Sequence, residues 1–347
     1  MFEIPRGLRQ RKAAAEPPQA MSVSAPVRTT PVTPPCLRTA TLATIVMVAL
    51  VAGGCGMIRQ RALHDVADRL SDPQAAGVYA SDDDPELVGA ALPFGLKTYE
   101  VLLAAQPRHR ALRLATASAF VGYAHAFVLL PAERLVTTDY RQAQRLRARA
   151  ARLFRRGRDY ALAGLELDHP GWRERLRTDP PTALAELGPE AVPLLYWLGA
   201  GWGGAIAAEP GALSELAELP VVEAIMRRVL ALDEGYGAGA AHEFFITYEG
   251  GRGGLMGGRV EQALRHFRRA VELAHGQRAA PYLAVATTVA VQRQDQALFQ
   301  EMLDTILAVD VDQAPAWRLE NRIAQEQAAW LLDHRQDLFA DPEETAP

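Results

Sequence analysis

The sequence predicts an all-α fold of stacked helix-turn-helix pairs, on three observations. Apolar residues recur at three- and four-residue spacing along nearly all of the chain after Cys55, the pattern of helices with one buried face. No run of alternating Val, Ile, Thr and aromatic residues reaches a useful strand length. Several helical segments end alike: GLELDHPG from Gly164, VLALDEGY from Val229, AVELAHGQ from Ala270 and ILAVDVDQAP from Ile306, the last three 41 and 36 residues apart. Helix pairs repeating every ~34 residues are tetratricopeptide-like, and Ala263 and Phe267 in VEQALRHFRRAVELA supply the small-then-aromatic core of such a repeat. Stacked pairs bury a continuous core and leave a concave face for binding.

The chain divides before the helices begin. Residues 1–54 read as a disordered leader plus a lipoprotein signal peptide. The first 35 residues are rich in Pro, Ala, Ser and Thr and hold too little apolar surface to offset the entropy of ordering; Met21 is an alternative start to Met1. Arg38 then precedes an apolar run from Ala40 to Ala52, short for a membrane span but of the length of a signal peptide's apolar region. Small residues lead to Cys55 in VAGGC, which resembles a lipoprotein cleavage site with Cys55 as the lipidated residue. The alternative is a signal anchor with a buried cysteine. Cys36, the other cysteine, lies upstream of the cut, so the mature chain has no internal disulfide to make. Gly56, rather than Asp, after the cysteine points to the periplasmic face of the outer membrane. Residues 55–80 form the mature N-terminal segment and first helix, 81–340 the tetratricopeptide-like domain, and 341–347 a tail.

The helices follow in order. Asp84 is an N-cap, with Pro85 in the first turn and Glu86 beside the positive end of the helix dipole. Pro93 is expected to kink or split this helix, and Gln106-Pro107 to close it. RHRALRLATASAFVGYAHAFVLL is the next. An arginine-rich helix starts near Asp139; Ala143, Leu146, Ala150, Leu153 and Phe154 make its apolar face, and its arginines are solvated or paired. PTALAELGPEAVPLLYWLGAGWGGAIAAE, LPVVEAIMRRVLALDE, GYGAGAAHEFFITYE, VEQALRHFRRAVELAHG, AAPYLAVATTVAVQRQ, DQALFQEMLDTILAVD and APAWRLENRIAQEQAAWLLDHRQDLF complete the chain.

No enzyme emerges. GGRGGLMGG, from Gly250, has six glycines in nine residues, but Met256 stands where a dinucleotide fingerprint needs its third glycine. Arg259-Val260 follow where a phosphate loop needs Lys and a hydroxyl, so the loop reads as a connection between helix pairs. His242-Glu243 starts like a zinc-protease motif, yet Ile246 occupies the place of the second histidine. We expect no catalytic residue, cofactor or metal. The chain of 347 residues carries net charge −4, too little positive charge for nucleic acid.

One cluster stands out. Tyr196, Trp197 and Trp202 lie in LLYWLGAGWGGAI; Tyr236, His242, Phe245 and Tyr248 lie in GYGAGAAHEFFITYE. Two readings fit: tight packing of small residues around large ones, or an aromatic groove for an apolar or amphipathic ligand.

At these residues the chain resembles the TRAP transporter TatT component family. The resemblance rests on the lipoprotein start, PLLYWLGAGWGGAIA, LPVVEAIMRRVLALDEGYGAGAAHEFF, the glycine loop before VEQALRHFRRAVEL, and DQALFQEMLDTILAVDVDQAPAWRLENRIAQEQAAWLL. It implies an all-α periplasmic lipoprotein, a non-enzymatic accessory of a tripartite ATP-independent periplasmic transporter. The implied partner is the transporter's solute-binding protein, with an apolar or organic-acid ligand; a homo-oligomer is compatible with it. Family members often carry Gly-Gly-Asp where this chain has Gly257-Gly258-Arg259. A generic tetratricopeptide scaffold for an envelope complex is the alternative.

Overall fold

The computed structural model describes residues 58–252 and 258–340. Cys55 and the leader, the centre of the glycine loop and the tail lie outside the described residues. Among the described residues every regular element is helical.

Helix α1 covers 58–71 and α2 Pro73–Ala80. Helix α3, Pro85–Ala105, is capped as its sequence requires: the Asp84 carboxylate accepts the Leu87 N–H at 2.9 Å. It runs unbroken through Pro93. Val88 before the proline and Leu96 after it are both buried, which holds the two halves in one helix despite the missing hydrogen bond. Helix α4, Arg110–Ala124, passes through a π-helical segment, His125–Leu129, into α5, Leu130–Arg134. Helix α6, Tyr140–Asp168, starts on the Asp139 cap and buries Ala143, Ala150 and Phe154. Three of its arginines are paired: Arg155 with Glu209 and Glu215, Arg156 with Glu100, and Arg158 with Asp159.

Two short helices follow, α7 (Trp172–Thr178) and α8 (Pro180–Ala185), tied by the Trp172 indole N–H to the Ala183 carbonyl at 2.8 Å. The long apolar segment predicted as one helix is therefore split. Extended backbone at Gly188 and a 3₁₀ turn, Pro189–Ala191, separate α8 from α9, Val192–Ala208. Helix α9 crosses α6 closely because Gly201 has no side chain: a Cβ there would meet the Arg158 nitrogen at 2.9 Å. Then come α10 (Leu213–Leu216) and α11 (Leu219–Leu232). Helix α12, Ala240–Gly250, begins later than its sequence suggests, since Gly237, Ala238 and Gly239 all take positive φ. The chain ends with α13 (Val260–Leu273), α14 (Ala280–Val285, continued by a second π segment, Ala286–Ala290), α15 (Gln296–Leu307) and α16 (Arg318–Asp333).

Neighbours in sequence pack as neighbours in space: α4 on α6, α6 on α9, α9 on α11, α12 on α13 and α14, α15 on α16. The stack does not stay open. Helix α16 returns against α2 and α3. Arg134 Nε donates to Gln327 Oε1 at 2.7 Å and Arg318 Nη1 to the Ser81 carbonyl at 2.9 Å, so the last helix is tied to the first ones. A recess of about 270 Å³, lined by Pro85, Leu130, Arg134 and Ile323 among others, marks the seam.

Candidate functional site

The candidate site is a cluster of charged and aromatic side chains drawn from several helices. On α4 the residues at three- and four-residue spacing are small, Ala111, Ala115, Ser118 and Gly122, and then comes His125. The opposite face, with Leu112, Thr116, Phe120 and Ala124, is fully buried. A Cβ on Gly122 would meet nothing within 4 Å. Desolvation pulls the His125 imidazole below the ordinary value, with Glu320 of α16 pushing the other way.

Three more elements contribute to the same cluster. Tyr196 projects from α9; its phenol is held well above the ordinary value, first by desolvation and then by the Glu243 charge. Its ring lies 5.0 Å edge-on from Trp197 and 5.3 Å from Tyr236. Glu243, one turn into α12, is pushed above the carboxylate range by desolvation and by Glu320. Between them sits Arg278, only 5% exposed.

Arg278 is the hub. Its Nε and Nη2 donate to Glu320 Oε1 at 3.0 and 2.8 Å, and Nη2 lies 2.9 Å from Glu243 Oε2. Its Nη1 donates to the Gly237 carbonyl at 3.0 Å, and the guanidinium stacks over Trp317 with its carbon 4.6 Å from the ring centre. The positive φ of Gly237, 57°, belongs to the turn that presents this carbonyl, which is what a glycine provides there. A buried guanidinium needs such partners, because unpaired burial of a charge is costly.

Of the seven aromatic and histidine candidates read from the sequence, Tyr196, Trp197 and Tyr236 come together in this cluster. The other four stand elsewhere. Trp202 turns to the outside of α9, its indole N–H on Glu218 at 2.9 Å and the Arg158 guanidinium over its ring. His242 Nε2 meets Glu234 at 3.0 Å and its Nδ1 meets His266 Nδ1 at 2.7 Å. Hydrogen bonds from Arg269, then His242, hold the Glu234 carboxyl down at about 2. Desolvation and the His242 charge lower His266 to about 4. Phe245 is fully buried against Met226 and Tyr248, a core that backs Tyr196. The Tyr248 hydroxyl donates to Glu223 at 2.5 Å, and Arg252 sits 3.7 Å over its ring.

The sequence reading missed Arg278 and Glu320 and took Glu243 only as part of a failed zinc motif. A signal existed for Glu243: a carboxylate one turn past three small residues, flanked by aromatic ones. Arg278 and Glu320 carried none, because 42 residues separate them in sequence.

Core and lining separate in a mutational test. Phe245→Ala is expected to cost about 3–4 kcal/mol in urea unfolding, as for other fully buried phenylalanines. Tyr196→Phe, which removes only one hydroxyl, should stay within about 1 kcal/mol. Equal losses in the two variants would contradict this division.

At the glycine loop, the Arg259 N–H donates to the Glu249 carbonyl at 3.0 Å. The Arg259 guanidinium donates to the Glu249 carboxylate at 3.1 and 3.3 Å, closing the loop at its base.

The model of a protein family described as TRAP transporter T-component matches residues 81–339. A protein of Treponema pallidum (strain Nichols), described as uncharacterized, is 30% identical over 278 residues, covering 78% of this chain and 85% of the relative.

Proposed function

The chain belongs to the TRAP transporter T-component family, and from that premise we propose that it is a lipid-anchored periplasmic accessory that docks on the transporter's solute-binding protein and receives its ligand. The family is one of transporter accessory components and not of enzymes. The single observation that carries the ligand half of the proposal is the cluster of Tyr196, Tyr236, Glu243, Arg278, Glu320 and His125. A ligand held there is shielded from water while it changes hands, and rings give it an apolar wall. Cys55 supplies the anchor, which raises the effective concentration of a co-localised partner.

A second reading, a scaffold for an envelope protein complex, draws on the outer face of α3. Leu87, Phe94 and Val101 form a stripe at seven-residue spacing, and Phe94 is 79% exposed. Contiguous exposed apolar surface marks a contact site.

The test pairs the chain with the solute-binding protein of a TRAP transporter from the same genome. A complex is expected in sedimentation at about 10 µM, equivalent to a modest protein–protein affinity. Labelled fatty acid should enter the wild type and not Cys55→Ser, and Cys55→Ser should leave the membrane fraction or fail to be processed. Lack of any complex, with or without solute, would hand the case to the scaffold reading. Equal labelling of Cys55→Ser would remove the lipid anchor.

A further inference from the structure

The first three helices expose apolar side chains in a way the rest of the fold does not. Seven of the eleven exposed large hydrophobic side chains among the described residues lie on α1, α2 and α3. On α3 they make a face. Leu87, Phe94 and Val101 are 59%, 79% and 69% exposed, and exposed alanines stand between them at 90 and 91. From Leu87 to Val101 the stripe runs about 21 Å, at about 1.5 Å per residue. Within it Lys97 is the one exposed charge, since Glu100 turns inward to Arg156 and Tyr160. A water-facing helix surface is ordinarily charged and polar.

The neighbouring helices extend this face and connect it to the start of the mature chain. The Tyr79 hydroxyl of α2 stands 3.9 Å from where a Gly95 Cβ would be, and Val78 beside it is 68% exposed. Helix α1 runs antiparallel to α3: the Tyr99 hydroxyl donates to the Leu70 carbonyl at 3.1 Å, and Gln106 Nε2 donates to the Gln60 carbonyl at 3.2 Å. The Val101 end of the stripe therefore lies beside the start of α1, where Ile58 is 70% exposed. Cys55 is three residues before Ile58, a distance of at most about 11 Å along the chain. A lipid on Cys55 would enter the bilayer at this end. Charge agrees with that placement. Arg59, Arg61 and Arg108 are exposed at the anchor end, whereas Asp82, Asp83, Asp84 and Glu86 gather at the far end of α3. Cations beside an apolar face suit anionic headgroups.

Resting on the lipid-anchored reading, we propose that the outer face of α3 lies in the headgroup layer of the membrane that holds Cys55. The acyl chains keep the protein at the bilayer, and the stripe fixes which side it turns to the lipid. The helix lies along the surface and does not cross, because Leu102 and Leu103 on its other side pack on α1 and α4. Lys97 reaches back to the phosphates on its aliphatic stem.

Residues 57–347 form a compact unit by themselves, so an acyl-free chain starting at Gly56 tests the stripe without the lipid or the leader. It is expected to sediment with mixed phosphatidylethanolamine–phosphatidylglycerol vesicles, and less with phosphatidylcholine ones. Phe94→Glu and Val101→Glu should each lower that partitioning at least about tenfold. Leu213→Glu, at a site as exposed as Phe94, should leave it unchanged. All three positions face outward, so urea unfolding should stay as in the wild type. In the acylated protein, Phe94→Trp should add fluorescence that lipids brominated near the top of the acyl chain quench. No vesicle binding, equal binding by the three glutamate variants, or no added quenching would overturn the proposal. So would a Phe94→Glu chain that binds vesicles normally but loses a complex with the solute-binding protein, or with a second copy of itself. Fatty-acid labelling reads the anchor separately: equal labelling of Cys55→Ser beside intact vesicle binding removes the anchor and leaves the membrane face standing.

Discussion

Replacing Arg278 with methionine is expected to remove about 3–5 kcal/mol of stability near neutral pH, more than the loss of any other single ion-pair partner in the fold. The side chain is almost wholly buried, and its neighbours were placed around its charge. Without it Glu243 and Glu320 face each other unscreened, and the Gly237 carbonyl loses its donor. The loss should depend on pH, and its sign follows from Glu243. Desolvation and Glu320 already raise that carboxyl above its unfolded value, and removal of Arg278 raises it further. A carboxyl that binds its proton more tightly when folded stabilises the fold at low pH, and that stability is lost as pH rises through the folded-state value. The variant's deficit should therefore be small at about pH 5 and large at about pH 8 in urea unfolding. An equal deficit at both would mean that packing, not charge, explains it.

Glu249→Gln is expected to cost about 2–3 kcal/mol, on the scale of charged hydrogen bonds lost from a buried acceptor. Glu249 is fully buried beside three arginines: Arg259 donates to both carboxylate oxygens, while Arg252 and Arg227 stand 3.6 and 3.9 Å away. The amide keeps the shape and loses the charge, so the change isolates the electrostatic clasp at the base of the glycine loop. Arg259→Ala should lose less, because Arg252 and Arg227 remain to face Glu249. A loss from Glu249→Gln below about 0.5 kcal/mol would show that the clasp adds nothing beyond ordinary surface pairing. The base that follows Gly257 and Gly258 thus has a buried acid waiting ten residues upstream.

Helix content was legible because each helix carries its own instructions. Asp84, Asp139 and Asp295 cap their helices as acids before an apolar period should. The apolar face of α6 was legible residue by residue. What misled was local chemistry overruled by tertiary packing. Pro93 does not break α3, because buried residues on both sides of it hold the helix together. Gly188 breaks a run of apolar residues that periodicity alone continues. The site was half legible. Tyr196, Trp197 and Tyr236 could be chosen as large rings among small residues. Trp202 and Phe245 were chosen on the same ground, and only packing tells a ring that lines a space from one that fills it. The ion cluster was not legible, since Arg278 and Glu320 meet only after the stack has curved back on itself.

That curvature changes how the molecule should come apart. Open helical arrays lose their end repeats first, because each repeat is held only by its neighbour. Here Arg318 holds Ser81, 237 residues away, and Gln327 holds Arg134, 193 residues away. The two ends are each other's neighbours, so neither frays on its own. Loosening α16 unseats α2 and α3, and amide exchange at both termini should report one shared opening event. Contacts of such range also form late, because closing a loop of that length costs chain entropy before any bond rewards it. Refolding should then show helices first and closure as a distinct, slower phase.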